Sequence, residues 1–342
     1  MMKRAKKSGR SKSSSRSSDP FAPVIGAIRS GRSFLVTTHY GPDGDALGSA
    51  LALAQGLKKL RKRVKVYNQD PVPINLRFLP DSETVTQQLS ADERFDVSFI
   101  VDCAEPERAG KVFEKHPGRG RLIVIDHHRK SGRAGDINLI LPKAASTGCV
   151  VLDLLKKLRV KLDRKIALAV YTTLVTDTGN FRYSNTDAEV LGLAKRLVET
   201  GIEPWRVAKQ VFESFPVERL FLLGKVLPTL HVSGDGQYAS LTLTQQMLKE
   251  TGATRDLSDE FINYPRSILG VEVAIQFRET EEASWRVSFR STERVDVADL
   301  AARFGGGGHA RAAGCELKEP FDSARSKIFQ AVEEALGQPS SL

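Results

Sequence analysis

Three apolar runs, each ending in acidic or imidazole side chains, restrict this chain more than any other feature. Residues Arg121 to Ile125 run into Asp126, His127 and His128; Ser33 to Thr38 run into His39, Asp43 and Asp45; and Asp96 to Val101 run into Asp102. Continuous β-branched and aliphatic runs of this length read as strands buried on both faces. Open sheets of such strands hold ligands beyond their carboxyl ends. A fourth candidate, Asp177, follows the apolar helical stretch Ile166 to Leu174.

Gathered at one sheet edge, these groups would be intolerable as bare charges, since packed carboxylates repel and lose hydration at a cost of about several kcal/mol each. Bound cations remove the problem. Mixed carboxylate and imidazole ligands suit Mn²⁺ foremost, with Mg²⁺, Fe²⁺, Co²⁺ and Zn²⁺ as alternatives. One carboxylate bridging two ions would hold them roughly 3.5–4 Å apart and activate water for phosphoryl chemistry.

The fold class follows from the order of patterns. Asp45 to Leu60 has the spacing of a helix with one buried face, and Gly48 and Ser49 in its first turn are candidate anion donors. Val64 to Tyr67, Asp96 to Val101, Arg121 to Ile125 and Ile137 to Leu141 supply further strands, so strand and helix alternate as a mostly parallel sheet flanked by helices requires. Helical patterns then run over 149–158, with Ser146 or Thr147 as N-cap, and over 163–176, 187–199, 204–212 and 217–230. From about residue 237 shorter strand and helix patterns alternate again, a smaller C-terminal α/β domain. The expected division is 1–18 basic tail, 19–215 catalytic domain, 216–236 connector and 237–342 substrate-binding domain.

At 342 residues and 41% apolar composition the chain can bury the cores of two domains. No run approaches the roughly 20 apolar residues of a membrane span, and the N-terminus lacks a secretory apolar segment, so a cytoplasmic protein with no membrane partner is expected. The formal charge of +10 is concentrated in the tail: residues 1–18 carry seven Lys/Arg and no acid, which leaves 44 basic against 41 acidic residues elsewhere. The tail reads as a disordered solvated segment, with an RNA-attracting arm as the alternative. Cys103, Cys149 and Cys315 are too dispersed for a thiolate zinc site or a disulfide framework; Cys103, beside Asp102, reads as a small buried residue rather than a nucleophile.

The motifs HYGPDGDALGS, VDCAEPERAG, IDHHRKSG, VTDTGNF and FGGGGHARAAG occur in an order that resembles the DHH phosphoesterase superfamily, in particular the branch that includes bacterial nanoRNase/pAp phosphatases. The resemblance spans about residues 20 to 335. It implies that His39 and Asp43 hold one ion, Asp45, His127 and Asp177 a second, and that Asp102 bridges them. It places His128 toward the nucleophile or scissile phosphate, and Asp126 either in the catalytic set or as an acceptor that orients an imidazole. It also places substrate at Gly306, Gly307, Gly308 and His309, and makes Arg290 an anion- or base-gripping arginine. Apart from the resemblance, the glycines read as a flexible turn and Arg290 as a solvated strand-end charge. His116 and His231 lie outside the motifs.

The expected protein is therefore a two-metal phosphoesterase acting on very short RNA and on 3′-phosphoadenosine 5′-phosphate. Short RNA or a nucleotide is its expected partner, and a homodimer is left open. Cyclic-dinucleotide phosphodiesterases share the core, a RecJ-like exonuclease would need further domains, and the glycine-rich element disfavours a family-II pyrophosphatase. The rival of another class is a noncatalytic RNA-binding protein.

Overall fold

The computed structural model describes residues 19–128 and 134–337. The basic tail, for which disorder was expected, lies outside the described residues.

The first sheet is built from β1 (Ser33–Thr37), β2 (Arg63–Tyr67), β3 (Val85–Thr86), β4 (Val97–Val101), β5 (Arg121–Asp126) and β6 (Ile137–Ile140). Its order is β3-β2-β1-β4-β5-β6 and every pairing is parallel. The helices accompanying it are α1 (Ala22–Ser30), α2 (Gly44–Lys59), α3 (Lys111–Glu114), α4 (Thr147–Lys157), α5 (Arg164–Asp177), α6 (Ala188–Val198) and α7 (Pro204–Glu213). On one face Phe34, Val36, Phe99, Val101, Ile123 and Ile125 share a core with Leu47, Leu51, Leu154, Val170 and Leu174 of α2, α4 and α5. On the other, Leu35, Ile100 and Leu122 pack on Cys103, Ala109 and Phe113. Both faces are thus apolar, which is why these strands read as unbroken hydrophobic runs. Helix α1 went unread because its apolar stripe, Val24, Ala27 and Ile28, is short and sits between Pro20 and Gly31.

The expected connector stretch contains α8 (Glu218–Val226), and it is not a bare linker. Leu222 and Val226 are buried with Leu241, Leu243, Leu248 and Phe261 of the second domain. That domain adds β7 (His231–Val232), β8 (Tyr238–Leu243), β9 (Val273–Glu281), β10 (Ser284–Ser291), β11 (Gly307–His309) and β12 (Ala312–Lys318). Its helices are α9 (Gln245–Thr251), α10 (Asn263–Arg266), α11 (Val297–Ala302) and α12 (Phe321–Leu336). The order is β11-β12-β10-β9-β8-β7, antiparallel except for the parallel β8–β9 pair. One face carries Ile275, Phe277, Val287 and Phe289 against α11 and α12, with Val297, Leu300, Ile328 and Val332 opposite.

Strands β11 and β12 are a correction to the sequence reading, which made a flexible turn of 305–309 and a small-residue stretch of 310–314. The backbone pairs Gly307 with Gly314 and His309 with Ala312 instead. Among the described residues no helix is long and apolar enough to cross a membrane.

Helices α2 and α5 touch at their backbones. A Cβ built at Gly48 would lie 2.7 Å from the Ala169 carbonyl oxygen and 2.6 Å from Thr173 Cγ2. The carbonyl cannot rotate away, so Gly48→Ala should destabilise the protein by about 1–3 kcal/mol through overpacking. Urea unfolding would show this as a lower midpoint at constant m-value; an unchanged midpoint would mean that the helices separate freely.

Candidate metal centre

Each ligand-type side chain reaches the carboxyl edge of the first sheet by a local device. His39 follows β1, and its Nδ1 donates to the Tyr40 carbonyl at 2.9 Å, leaving Nε2 3.7 Å from Asp102 Oδ2. Asp43 caps α2 by accepting from the Ala46 N–H at 3.0 Å. The capping role weighed for Asp45 therefore belongs to Asp43, and Asp45 turns inward, fully buried. Its Oδ1 accepts from the Gly148 N–H at 3.0 Å and Ser49 Oγ at 2.9 Å, and its Oδ2 from the Thr147 N–H at 2.7 Å. The amino end of α4 thus points at Asp45, where its dipole favours negative charge. Gly48 and Ser49, read as anion donors, are spent otherwise: Gly48 packs on α5 and Ser49 holds Asp45.

Asp102 closes β4 with its N–H donating to the Ile125 carbonyl at 2.9 Å and with φ at 58°, a left-handed conformation uncommon outside glycine. Thr147 Oγ1 donates to its Oδ1 at 2.9 Å. At the end of β5, Asp126 Oδ1 accepts from the His127 and His128 N–H groups at 2.7 and 3.2 Å and lies 2.6 Å from His128 Nδ1. His127 turns its Nδ1 to the Ala144 carbonyl at 3.0 Å, so its Nε2 faces Asp177 Oδ2, 3.1 Å away at the end of α5.

The structure brings together all six expected ligands. His39, Asp43 and Asp102 each offer an atom within 4.8 Å of the other two, as do Asp45, His127 and Asp177, and Asp102, His127 and His128. Asp102 belongs to two of these groups. Carboxylate oxygens and imidazole nitrogens so placed fit a divalent cation.

Electrostatics point the same way. Burial pushes the Asp45 pKa well above the usual carboxylate range, and Asp102 and Asp177 add repulsion. Burial likewise pushes Asp177 up to about 6 against the pull of His127. Asp102 is the exception: burial opposes its charge, but the His39 hydrogen bond and the charges of His128 and His127 hold it below the carboxylate range. Burial also opposes a charge on His127, yet Asp177, Asp45 and Asp102 push its pKa up to about 11. Of this pair His127 carries the charge, because it faces three carboxylates whereas Asp177 faces one imidazole. Cys103 is buried, and burial pushes its thiol up to about 12, as befits a packing residue rather than a nucleophile.

Of the residues expected to meet substrate, Arg290 lies on β10, Gly307, Gly308 and His309 lie on β11, and Gly306 precedes β11. Arg290 on β10 is half-buried and donates to the Phe289 carbonyl at 3.0 Å. Burial opposes its charge, Tyr183 of the first domain supports it, and Arg266 opposes it. Arg266 itself sits 4.5 Å over the Tyr183 ring, so the two domains meet beside Arg290. A Cβ at Gly306 would strike the Gly314 carbonyl at 2.1 Å, and one at Gly308 the Ala312 carbonyl at 2.5 Å, whereas nothing lies within 4 Å at Gly307. Packing therefore requires two of these glycines and leaves Gly307 facing open space. The His309 side chain lies outside what is described; its backbone is in β11. Sequence reasoning offered Thr147 only as an alternative cap, whereas it serves both Asp45 and Asp102. The signal was present in Ser146-Thr147-Gly148, where a single cap leaves the second hydroxyl for another acceptor.

An α/β fold that gathers metal-ligand side chains beyond a parallel sheet and faces them with a second sheet matches the DHH family, N-terminal domain, over residues 33–174 and the DHHA1 domain over residues 235–338. The chain belongs to the DHH family of phosphoesterases. It is 36% identical over 302 residues to the bifunctional oligoribonuclease and PAP phosphatase NrnA of Thermus thermophilus, covering 88% of this chain and 89% of that protein. The protein of the same name from Bacillus subtilis is 26% identical, with 82% and 87% covered. Among solved structures, an exopolyphosphatase-related protein from Bacteroides fragilis superposes with a TM-score of 0.83 at 28% identity, covering 92% of this chain and 96% of that one.

Metal ligands must be deprotonated. With the His127 pKa raised to about 11, this imidazole carries a proton at neutral pH until an ion displaces it. Mn²⁺ binding should therefore release protons, and affinity should rise with pH. Titration calorimetry in two buffers of different ionisation enthalpy should show at least one proton released per protein; zero net release would mean that His127 does not ligate.

Proposed function

We propose that the protein hydrolyses very short oligoribonucleotides and 3′-phosphoadenosine 5′-phosphate, using two divalent cations, Mn²⁺ foremost. The observation that carries this reading is the chain of three ligand groups, His39–Asp43–Asp102, Asp102–His127–His128 and Asp45–His127–Asp177, linked through Asp102 and His127 and accompanied by a second sheet that offers Arg290 and the open face at Gly307. The near full-length likeness to NrnA proteins supports the substrate class.

In this reading His39 and Asp43 hold one ion, Asp45, His127 and Asp177 the other, and Asp102 both. Cations held by these residues would supply a nucleophilic water at neutral pH and offset charge on the phosphoryl oxygens. Thr147 and the amino end of α4 fix Asp45 and Asp102 before any ligand arrives, so little reorganisation is left for the reaction. Asp126 is a positioning residue: its Oδ1 fixes both the backbone and the ring of His128 and so aims that imidazole toward the phosphate. Catalysis belongs to residues 19–215 and substrate capture to residues 237–342, joined through 216–236. A cytoplasmic setting belongs to this reading, inferred from three cysteines dispersed in the sequence.

Two measurements test the reading. A Mn²⁺-supplemented panel of two-, five- and twenty-nucleotide RNAs, 3′-phosphoadenosine 5′-phosphate and cyclic dinucleotides should show turnover concentrated on the shortest RNAs and the bisphosphate. Asp102→Ala should lower turnover by several orders of magnitude with the circular dichroism spectrum retained; near wild-type rates would sink the two-ion assignment, and binding without turnover by the wild type would favour a noncatalytic RNA-binding role.

The glycine-rich strand can be tested separately, because the ion ligands all lie on the first domain. His309→Ala and Gly307→Ala should each lower kcat/KM for a dinucleotide by one to three decades, on the order of 1.4–4 kcal/mol. Hydrolysis of bis-p-nitrophenyl phosphate, which has no nucleotide to place, should fall much less. Equal losses on both substrates would put these residues in the chemical step or the fold.

A further inference from the structure

The strands of the first sheet run parallel, so the edge that gathers the ligands has a counterpart at their amino ends, about 17 Å away along β5. Arg63 opens β2, Arg121 opens β5, and Arg32 immediately precedes β1. In the order β2-β1-β4-β5 the outer two are three strand spacings apart, about 14 Å. Backbone bonds tie the row together: the Arg63 N–H donates to the Arg32 carbonyl at 3.0 Å, and the Arg121 N–H to the Asp96 carbonyl at 3.0 Å. Arg29 stands in the last turn of α1, which leads into β1. Arg94 adjoins the row through its carbonyl, which accepts from Ser33 Oγ at 3.3 Å.

All five arginines are exposed, and none makes an ion pair among the described residues. That is not the average condition of this protein, in which seven of the 51 basic residues lie in the tail and the other 44 face 41 acids. The acids beside the row are already used. Glu93 pairs with Lys65 at 2.6 Å. Asp96 Oδ2 accepts from the Arg32 and Ser33 N–H groups at 2.7 and 3.0 Å. Those bonds, with the charges of Arg63 and Arg32 beyond them, hold its carboxyl below the usual carboxylate range.

An unpaired row of guanidinium groups fits a polyanion. Its length spans about four phosphates at the roughly 3.4 Å rise of one stacked nucleic-acid strand. A recess of about 310 Å³ lies in the row, lined by Ser30, Arg32, Asp96 and Arg121 with Ala27 and Val97. Asp96 brings to it a carboxylate oxygen, Oδ1, that accepts no hydrogen bond among the described residues. Such an oxygen repels a bare phosphate but accepts from the 2′-hydroxyl of a ribose, the group that distinguishes RNA from DNA. None of the large exposed apolar side chains lies at this edge, so it offers nothing to insert into a bilayer.

We propose that the amino-end edge of the first sheet is an RNA-binding surface separate from the metal centre, with these arginines on the phosphates of a single strand and Asp96 on a ribose hydroxyl. The strand it takes is longer than the substrates proposed above, because a dinucleotide has too few phosphates to cross the row. Held there, the protein stays on long RNA, where endonucleolytic or exonucleolytic cleavage releases short fragments. The inference goes beyond the hydrolytic reading, and binding and turnover are measured separately, so failure of either leaves the other standing.

The test is binding of a fluorescent twenty-nucleotide RNA to the full-length protein in EDTA, which withholds the cations needed for turnover. At about 0.15 M salt, Arg63→Gln combined with Arg121→Gln should weaken binding at least tenfold. The slope of log K against log salt should fall by about 1.4, two lost contacts at about 0.7 each. Dinucleotide turnover with Mn²⁺ should stay within twofold of wild type. Lys195→Gln combined with Arg325→Gln, which removes two exposed cations elsewhere, should leave RNA binding within twofold. A loss equal to that of the first pair would reduce the effect to net charge and overturn the surface. DNA of the same sequence should bind at least threefold more weakly than the RNA, and equal binding would rule out RNA as the specific partner. Binding to phosphatidylglycerol vesicles that the first pair abolishes, with RNA binding intact, would replace the proposal with a membrane surface.

Discussion

Everything at the functional edge of this protein depends on holding several carboxylates together before a cation neutralises them. Asp45 shows how the fold does so. It is fully buried, yet it accepts two backbone N–H bonds from the amino end of α4 and a hydroxyl bond from Ser49. Those donors offset part of the cost of burying its charge. The arrangement requires α4 to aim at α2, which in turn requires α2 and α5 to pack closely at Gly48, with Thr173 and Ala169 against it. Backbone packing and site electrostatics are thus one structural problem. A change that spreads the helices also withdraws the donors from the ligand.

The second domain handles charge in the opposite way. Its open face sets Arg286 directly opposite Arg278 in the strand register, whereas the first domain surrounds its anions with donors and imidazoles. The two faces meet beside Tyr40, Arg108 and Tyr183. A polyanion entering between them is attracted by those arginines, whereas the carboxylates repel it unless they already hold cations.

Much of the first domain was legible in the sequence because buried parallel strands leave unbroken apolar runs and the polar residues that end them share one edge. His39, Asp102 and His127 could be placed together for that reason. The assignment of the α2 cap was not legible, because Asp43 and Asp45 are equivalent by spacing and only the packing of α4 tells them apart. Strands β11 and β12 were lost for a different reason. Ala312, Ala313 and Gly314 lack the β-branching that marks strands, and four consecutive glycines look like a turn until a partner strand is present. The Arg278–Arg286 juxtaposition needs the register of two strands, which no linear pattern contains. Thr147 was named only as a cap candidate, since a hydroxyl that serves a distant carboxylate leaves no periodic trace.

The left-handed backbone at Asp102 has a consequence for how this sequence can drift. Non-glycine residues pay conformational strain there, on the order of 1–3 kcal/mol, whereas the side chain is held charged by His39, His127 and His128 and accepts from Thr147. Glycine or asparagine would relax the backbone, and either would remove a carboxylate from a crowded set. Backbone strain and side-chain electrostatics therefore oppose each other at one residue. Substitution at position 102 would relieve the backbone but would take from His39, His127, His128 and Thr147 the carboxylate they share, so the gain in the one is met by a loss in the other.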